Sequence, residues 1–504
     1  MRKTLKFLFS KLFLTGAVAF FELALVLVMI FRFSDAFVPV NVVLVVLKLV
    51  SMITVVNSEL PPAYKISWLA AILLNTVVGI TLYFFFGRVK LRRSALERMN
   101  ESRRTLCERK EKYETVDVGD PVASKICSYL GASCNSGAFG ANHTEFFSVG
   151  EKFFDRMQKE LERAESYIYL DYFIVRGGKV WDRLFEILEG KVKSGVDVRL
   201  IYDDFGSVMK IDSAFMKRLC DSGIKFKAFN KISPSLSSRQ NYRDHRKVCV
   251  IDGNTVFVGG INLSDEYANI THPLGHWKDT AVMIKGAAVE VFANEFLSAF
   301  SGLLSRGDKI EEFASLSVEK YGEKGIVSPY FDTPFENRQV CRDLYQALIS
   351  SAEKSICITT PYFVPDYVIE NAIKNALLRG VKVRIVIPGT YDKWYVREIS
   401  QMYAARLEKY GAEIYLYSPG FIHQKMLVVD ALYAVTGSSN LDYRSFYLSF
   451  ESGVFMYDTA SVGQMTDDFE KTLGCSEPLP AAAKNVGVIK GLFRQVFAIF
   501  SPLM

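Results

Sequence analysis

A histidine and a lysine two positions apart occur twice in this chain, each pair followed at matching offsets by an aspartate, a glycine and an asparagine. The first set is His245, Lys247, Asp252, Gly259 and Asn262. The second is His423, Lys425, Asp430, Gly437 and Asn440, with Ser438 where the first has Gly260. In both, asparagine follows histidine by 17 residues, which marks the sets as copies. Each offers one imidazole, one ammonium and one amide. Together they suit a phosphodiester: the cations hold the non-bridging oxygens, one histidine attacks phosphorus and the other protonates the leaving oxygen. The candidate catalytic residues are His245, Lys247, Asp252, His423, Lys425 and Asp430. Asn262, Ser438 and Asn440 join the lysines as candidate phosphate ligands. No H-E-x-x-H motif or cysteine–histidine cluster is present, so no metal or cofactor is expected. His143, His272 and His276 lack a partner at useful spacing and are read as loop or surface residues.

The elements that must position these groups follow from local pattern. The runs after each histidine, 247–251 and 425–429, are rich in β-branched residues and are read as strands. Side chains two apart leave a strand on one face, so each histidine points with its lysine. Asp252-Gly253-Asn254 is a hairpin turn, and 255–258 returns the chain to bring Gly259, Gly260 and Asn262 back beside the imidazole. Asp252 opens that turn. A turn or tether role for Asp252 and Asp430 is preferred over direct chemistry.

The doubled H-x-K-x4-D-x6-G-S-x-N pattern resembles the phospholipase D superfamily. Thr360-Pro361-Tyr362-Phe363-Val364-Pro365, Trp277-Lys278-Asp279 and Asn440 through Glu451 are similar to bacterial cardiolipin synthases, over roughly residues 37 to 504. Gly260 departs from the pattern, in a way the family tolerates. Asp279 lies 34 residues after His245, and Glu451 lies 28 after His423. A catalytic histidine needs its second nitrogen held. The resemblance implies that each half's acid supports the other half's histidine, Glu451 with His245 and Asp279 with His423. A purely structural ion pair is the alternative. The resemblance also implies phosphatidyl transfer between two phosphatidylglycerol molecules through a phosphohistidine, with His245 as nucleophile. The residues themselves leave the two histidines equivalent. A hydrolytic phospholipase D would share every catalytic residue. A non-catalytic lipid-binding protein would have no use for two complete motifs.

Half of the 504 residues are hydrophobic, and the formal net charge is +6. The charge favours an anionic partner, and the apolar N-terminus favours a lipid surface over nucleic acid. Residues 12–31, 37–56 and 67–86 are apolar stretches long enough to cross a bilayer, two or three of them as true spans. Glu22 and Lys48, at similar depth in the first two, could pair. Residues 88–112 carry ten basic side chains, including Arg88, Lys90, Arg98 and Arg103. By the positive-inside rule they place the large C-terminal part in the cytoplasm of a bacterial membrane protein. The eight cysteines show no framework and are read as reduced thiols.

Residues 113–150 are read as a linker. From 151 a strand–helix–strand–helix pattern runs to the first histidine and then repeats 178–190 residues later. The expected fold is α/β: two similar lobes, 151–325 and 326–480, with mixed, mainly parallel sheets flanked by helices and the site between them. Ile489, Leu492, Phe493, Val496, Phe497 and Phe500 form a stripe on a terminal amphipathic helix in 481–504, suited either to docking on its own domain or to a membrane interface.

Overall fold

The computed structural model describes residue 24 and residues 38–87, 93–108, 115–208, 211–232, 241–304, 319–335, 338–484 and 486–503. The apolar segment 12–31 with Glu22 lies outside the described residues, Ala24 apart. So do Arg88, Lys90, Arg92, Arg109, Lys110 and Lys112 of the basic run. The chain separates into two compact units. One takes residues 1–92, 230–242 and 488–504; the other takes 93–229 and 243–487.

The larger unit holds both motif copies. Its first lobe is a seven-stranded sheet in the order 143–147, 281–285, 255–259, 247–251, 167–172, 197–203, 225–229. The second lobe repeats that order as 326–332, 449–457, 433–437, 426–429, 355–359, 382–388, 413–417, with 476–478 added at the edge. The duplication is therefore structural as well as sequential. Parallel pairing is confined to 167–172 with 197–203 and 225–229, and to 355–359 with 382–388 and 413–417. Every other ladder along either sheet is antiparallel. The sheets are mixed, as expected, but mainly antiparallel rather than mainly parallel. The reason is local: Asp252 and Asp430 close tight hairpins, which can only join antiparallel strands, while parallel pairs need a helical crossover.

Helices Val289–Gly302 and Ala460–Gly474 follow strands 281–285 and 449–457, which correspond in the two lobes. Their apolar side chains, among them Phe292, Phe296, Met465 and Phe469, join one core cluster with Val250, Val258 and Ile284 of the first sheet and Val428, Val454 and Met456 of the second. The lobes thus share a core. Residues 113–150 are more than a linker. Asp120 accepts from Ala123 N–H at 2.7 Å and caps the helix Pro121–Cys134, which begins with proline at its first position. His143–Phe147 is an edge strand of the first sheet. Glycine, serine and asparagine in that stretch mark the ends of these elements.

In the smaller unit, Val38–Val56, Pro62–Leu74, Thr76–Phe86 and Val488–Phe500 are helices. The third apolar stretch, expected as one span, breaks at Asn75. That residue is extended, and its side chain accepts from Val78 N–H at 3.1 Å to cap a new helix. A Cβ on Gly79 would lie 2.5 Å from the Ile72 backbone, so the chain folds tightly on itself here. The terminal helix docks on Pro62–Leu74, where Ser67 Oγ donates to Ile499 C=O at 2.5 Å. Among the described residues no helix is long and apolar enough to cross a membrane.

Candidate active site

His245 and Lys247 are brought to the site by strand Lys247–Ile251, and Lys425 and His423 by the segment entering Met426–Val429. Two short parallel ladders then stitch the lobes together beside each histidine. Arg243–Asp244 pairs with Ser449–Phe450, and His245 N–H donates to Phe450 C=O at 3.0 Å. His276–Lys278 pairs with Gly420–Ile422, and His423 N–H donates to Lys278 C=O at 2.7 Å. The residue after each accepting carbonyl is an acid. Glu451 therefore meets His245, and Asp279 meets His423.

The contacts are short. His245 Nδ1 lies 3.0 and 3.1 Å from the two Glu451 carboxylate oxygens, and His423 Nδ1 lies 2.6 Å from Asp279 Oδ2. A carboxylate accepts, so each Nδ1 carries the proton and each Nε2 keeps its lone pair. Lys247 Nζ and Lys425 Nζ each donate to the carbonyl of their own histidine. Lys425 Nζ also lies 2.8 Å from His423 Nδ1. With that nitrogen protonated toward Asp279, the approach is electrostatic crowding rather than a hydrogen bond.

Burial dominates the electrostatics. It lowers both imidazoles to about 4, with Glu451 and Asp279 pulling the other way and the lysines adding to the fall. Burial likewise lowers Lys247 to about 7 and Lys425 to about 8, offset in part by Glu451 and Asp279. Each lysine depresses the other lobe's histidine. Burial works against ionisation of Glu451, but His245, Lys247 and Ser438 outweigh it, and its pKa falls. The site thus holds two neutral imidazoles and two lysines set against two carboxylates, and a bound phosphodiester would favour the charged form of each lysine.

The two halves reach this geometry by different means. In the second lobe Ser438 Oγ donates to Glu451 and accepts from Ser452 N–H at 3.0 Å. Its proton is directed to the carboxylate, so in this structure Ser438 braces Glu451. In the first lobe a Cβ on Gly260 would lie 2.2 Å from Asp279 Oδ1. Glycine and the shorter aspartate go together, as do serine and the longer glutamate.

Asp252 and Asp430 are not brought to the imidazoles. Each sits at the far end of its strand, about 20 Å from the histidine seven residues back at roughly 3.3 Å per residue. Asp252 accepts from the N–H groups of Glu165, Ser166 and Tyr167 at 2.8 Å, and Asp430 from those of Glu353, Lys354 and Ser355 at 2.7 to 2.9 Å. Both adopt positive φ, 52° and 55°, as the hairpin demands. They tether the turn to the neighbouring strand. Asn262 Oδ1 accepts from Ile174 N–H at 3.0 Å and its Nδ2 donates to Tyr267 Oη at 2.8 Å. Tyr267 in turn stands edge-on to the His423 ring, 5.5 Å between centroids. Asn440 N–H donates to Ser445 Oγ at 3.0 Å, and its buried side-chain oxygen has no partner among the described residues. That oxygen is an acceptor and cannot bond a phosphate oxygen, while the donor Nδ2 lies 3.5 Å from Asp442 Oδ2.

A further layer was not anticipated from sequence. The residue between histidine and lysine, Arg246 or Gln424, points away from the pocket into a buried acid. Arg246 bonds Asp244 at 2.6 Å and Glu295 at 3.3 Å, and Glu295 also takes Arg103 at 3.0 Å. Gln424 donates to Asp468 at 2.9 Å, which takes Lys278 at 2.7 Å. The sole sequence signal was a polar residue alternating with the motif's histidine and lysine at the mouth of an apolar strand.

Comparison with known proteins extends the picture. Residues 157–300 and 345–473 match the family described as "Cardiolipin synthase, PLD-like domain", and residues 43–88 match "Phospholipase_D-nuclease N-terminal". The chain is 35% identical to a cardiolipin synthase of Geobacillus sp. strain WCH70 over 83% of this chain and 84% of the relative. It is 32% identical to that of Alkalihalophilus pseudofirmus over 88% and 89%. Among solved structures, phosphatidylserine synthase of Haemophilus influenzae aligns with a TM-score of 0.56 at 16% identity, covering 75% of this chain and 100% of the other. That likeness speaks for the fold.

Proposed function

The chain belongs to the cardiolipin synthase family of phospholipase D-like proteins, and from that premise we propose that it transfers a phosphatidyl group from one phosphatidylglycerol to another, giving cardiolipin and glycerol. The observation that carries the reading is the pair of imidazoles, each held at Nδ1 by a carboxylate from the opposite lobe and each accompanied by a buried lysine.

Lys247 and Lys425 hold the non-bridging oxygens of the donor lipid, with the Asn440 amide beside them. His245 Nε2, neutral at physiological pH, attacks phosphorus. A phosphorus–nitrogen bond forms, the bond to glycerol breaks, and His423 gives its proton to the departing oxygen. The negative charge of the bound diester favours the protonated form of His423. The hydroxyl of the second lipid then loses its proton to His423, attacks phosphorus and releases His245. Glu451 and Asp279 stabilise the imidazolium of each step and fix the tautomers.

The smaller unit seats the enzyme at the lipid surface, facing the cytoplasm. Val42, Val46, Val50 and Ile53 on one helix, Leu73 and Leu74 on the next, and Ile489, Leu492 and Val496 on the terminal helix are exposed. Aliphatic surface of this kind is favourable in lipid and costly in water.

The test is a product assay on full-length protein in mixed micelles with phosphatidylglycerol. Cardiolipin and glycerol in equal amounts are expected. Phosphatidic acid with glycerol would mean that water is the acceptor, and neither product would sink the enzymatic reading.

A further inference from the structure

We propose that the pocket formed by Tyr362, Tyr391, Asp392, Lys393, Arg397 and Phe421 is a second phosphodiester site, which seats the accepting phospholipid on the His423 side of the catalytic centre. The proposal rests on the phosphatidyl-transfer reading and names the binding site that reading needs but the two motifs do not supply.

The pocket is a shallow cleft open to solvent, with about 280 Å³ of space only when its solvent-open mouth is counted, so a headgroup would lie across it rather than be enclosed. It lies where strand Lys382–Pro388 ends and helix Trp394–Glu408 begins, at the carboxyl end of the parallel strands, where open α/β sheets place ligands. Two cations line it. Arg397 lies over the Tyr391 ring at 4.7 Å, and Lys393 Nζ lies over the Tyr362 ring at 4.9 Å. Neither forms an ion pair among the described residues, and Arg397 Nε is buried without a hydrogen-bond partner. Three other cations nearby do have acid partners: Arg384 with Glu470, Lys374 with Glu370 and Lys484 with Glu408. A buried guanidinium N–H left unmet is costly unless a ligand meets it, and a phosphate diester is the anion whose oxygens suit a lysine and an arginine together.

Two features make the ligand a lipid headgroup. Trp394 and Tyr391 are 53% and 42% exposed beside the pocket, and amphipathic rings of this kind sit well at a lipid–water boundary. Asp392 accepts from Tyr362 Oη at 2.5 Å through one oxygen, leaving the other to accept from a headgroup hydroxyl. Phe421, in the pocket wall, has its ring 5.8 Å from that of His423. A glycerol headgroup extending from a phosphate at Lys393 and Arg397 past Phe421 would present its terminal hydroxyl to His423. That hydroxyl gives its proton to His423 Nε2 and its oxygen bonds phosphorus. The phosphorus–nitrogen bond to His245 breaks, and His245 leaves as neutral imidazole. The pocket thereby distinguishes two histidines that their motifs leave equivalent.

The experiment uses the full-length protein in phosphatidylglycerol vesicles with ethanol as a competing acceptor too small to use the pocket. Cardiolipin and phosphatidylethanol both arise from the same phosphatidyl-enzyme, so their ratio reads acceptor binding alone. In the Lys393→Gln/Arg397→Gln double variant the ratio should fall about tenfold or more, and Arg397→Lys should lie closer to wild type than Arg397→Gln. If the double variant does not fold, Lys393→Gln, at an exposed position, should still lower the ratio several-fold. An unchanged ratio, or a proportional loss of both products, overturns the proposal. Millimolar inorganic phosphate should leave the wild-type ratio in place. If it lowers that ratio in wild type but not in the double variant, the pocket takes free phosphate and the headgroup assignment is wrong. Failure of the transfer reading itself shows separately, as absence of cardiolipin from the wild-type reaction.

Discussion

Asp279 and Glu451 do the same work on chains that differ by one methylene, and the residue facing each has been matched to that difference. This makes Gly260 a sensitive position. Gly260→Ala puts a methyl 2.2 Å from Asp279 Oδ1, which must move and release His423. Turnover should fall by roughly 10² to 10⁴, the usual range for losing an oriented acid–base, while far-ultraviolet circular dichroism is unchanged. Gly260→Ser combined with Asp279→Glu copies the other half and should recover part of the loss. A second expectation concerns pH. With Lys247 at about 7 and Lys425 at about 8, kcat/KM should decline as pH rises through 7 to 8, because a neutral amine no longer holds the phosphate. His245, at about 4, is already the neutral nucleophile across that window and does not contribute to this limb, whereas His423 must take up a proton with the diester and adds to the decline. The sign for stability is opposite. Between these depressed values and 10.5 the unfolded chain binds more protons, so the lysines' contribution to stability rises with pH over that interval. A rate that stays flat to about pH 10, near the ordinary lysine value, would contradict the lysine assignment.

The hairpins that end in Asp252 and Asp430 are joined to their sheets at the end away from the chemistry. Each carboxylate receives three backbone N–H groups from the start of the adjacent strand. Asp430→Ala removes all three bonds and should cost about 1–3 kcal/mol, seen as a lower denaturation midpoint. Turnover per folded molecule should be nearly unaffected. A collapse of turnover in a protein that remains folded would return Asp430 to the catalytic list. The same pair of elements explains the pattern of strand pairing: the tight turn enforces antiparallel neighbours on one side of each histidine strand, and the helical crossovers supply parallel neighbours beyond it.

Across the whole chain, the two units carry different surfaces. The catalytic unit buries its aliphatic strands in a core common to both lobes, whereas the smaller unit leaves aliphatic side chains of three helices open. Attachment through such a surface is hydrophobic and is not screened by salt, unlike attachment through a basic run alone. The full-length protein should therefore float with anionic vesicles at about 1 M salt, where the Debye length is only about 3 Å. Release at that salt would mean that the basic residues, not the exposed aliphatics, hold the enzyme to lipid. The shared core also makes each lobe's sheet incomplete as a free domain, which fits a site assembled from both.

Much of this was legible in residue order. Two copies of one motif at one spacing implied two lobes and a two-histidine, two-lysine site, because chemistry of this kind depends on residue type and on strand periodicity, both of which are local. The hairpin at Asp252 was equally local. Other features needed the third dimension. The mainly antiparallel sheets, the break at Asn75, the acids that face Ser438 and Gly260, and the turn of Arg246 and Gln424 toward Glu295 and Asp468 depend on which segments become neighbours, and that is set by packing over long separations. The pairing of Glu451 with His245 and of Asp279 with His423 was implied by family resemblance alone. Its physical cause is a pair of two- and three-residue parallel ladders between the lobes, too short to carry a sequence signal and decided only when the two sheets close on one core.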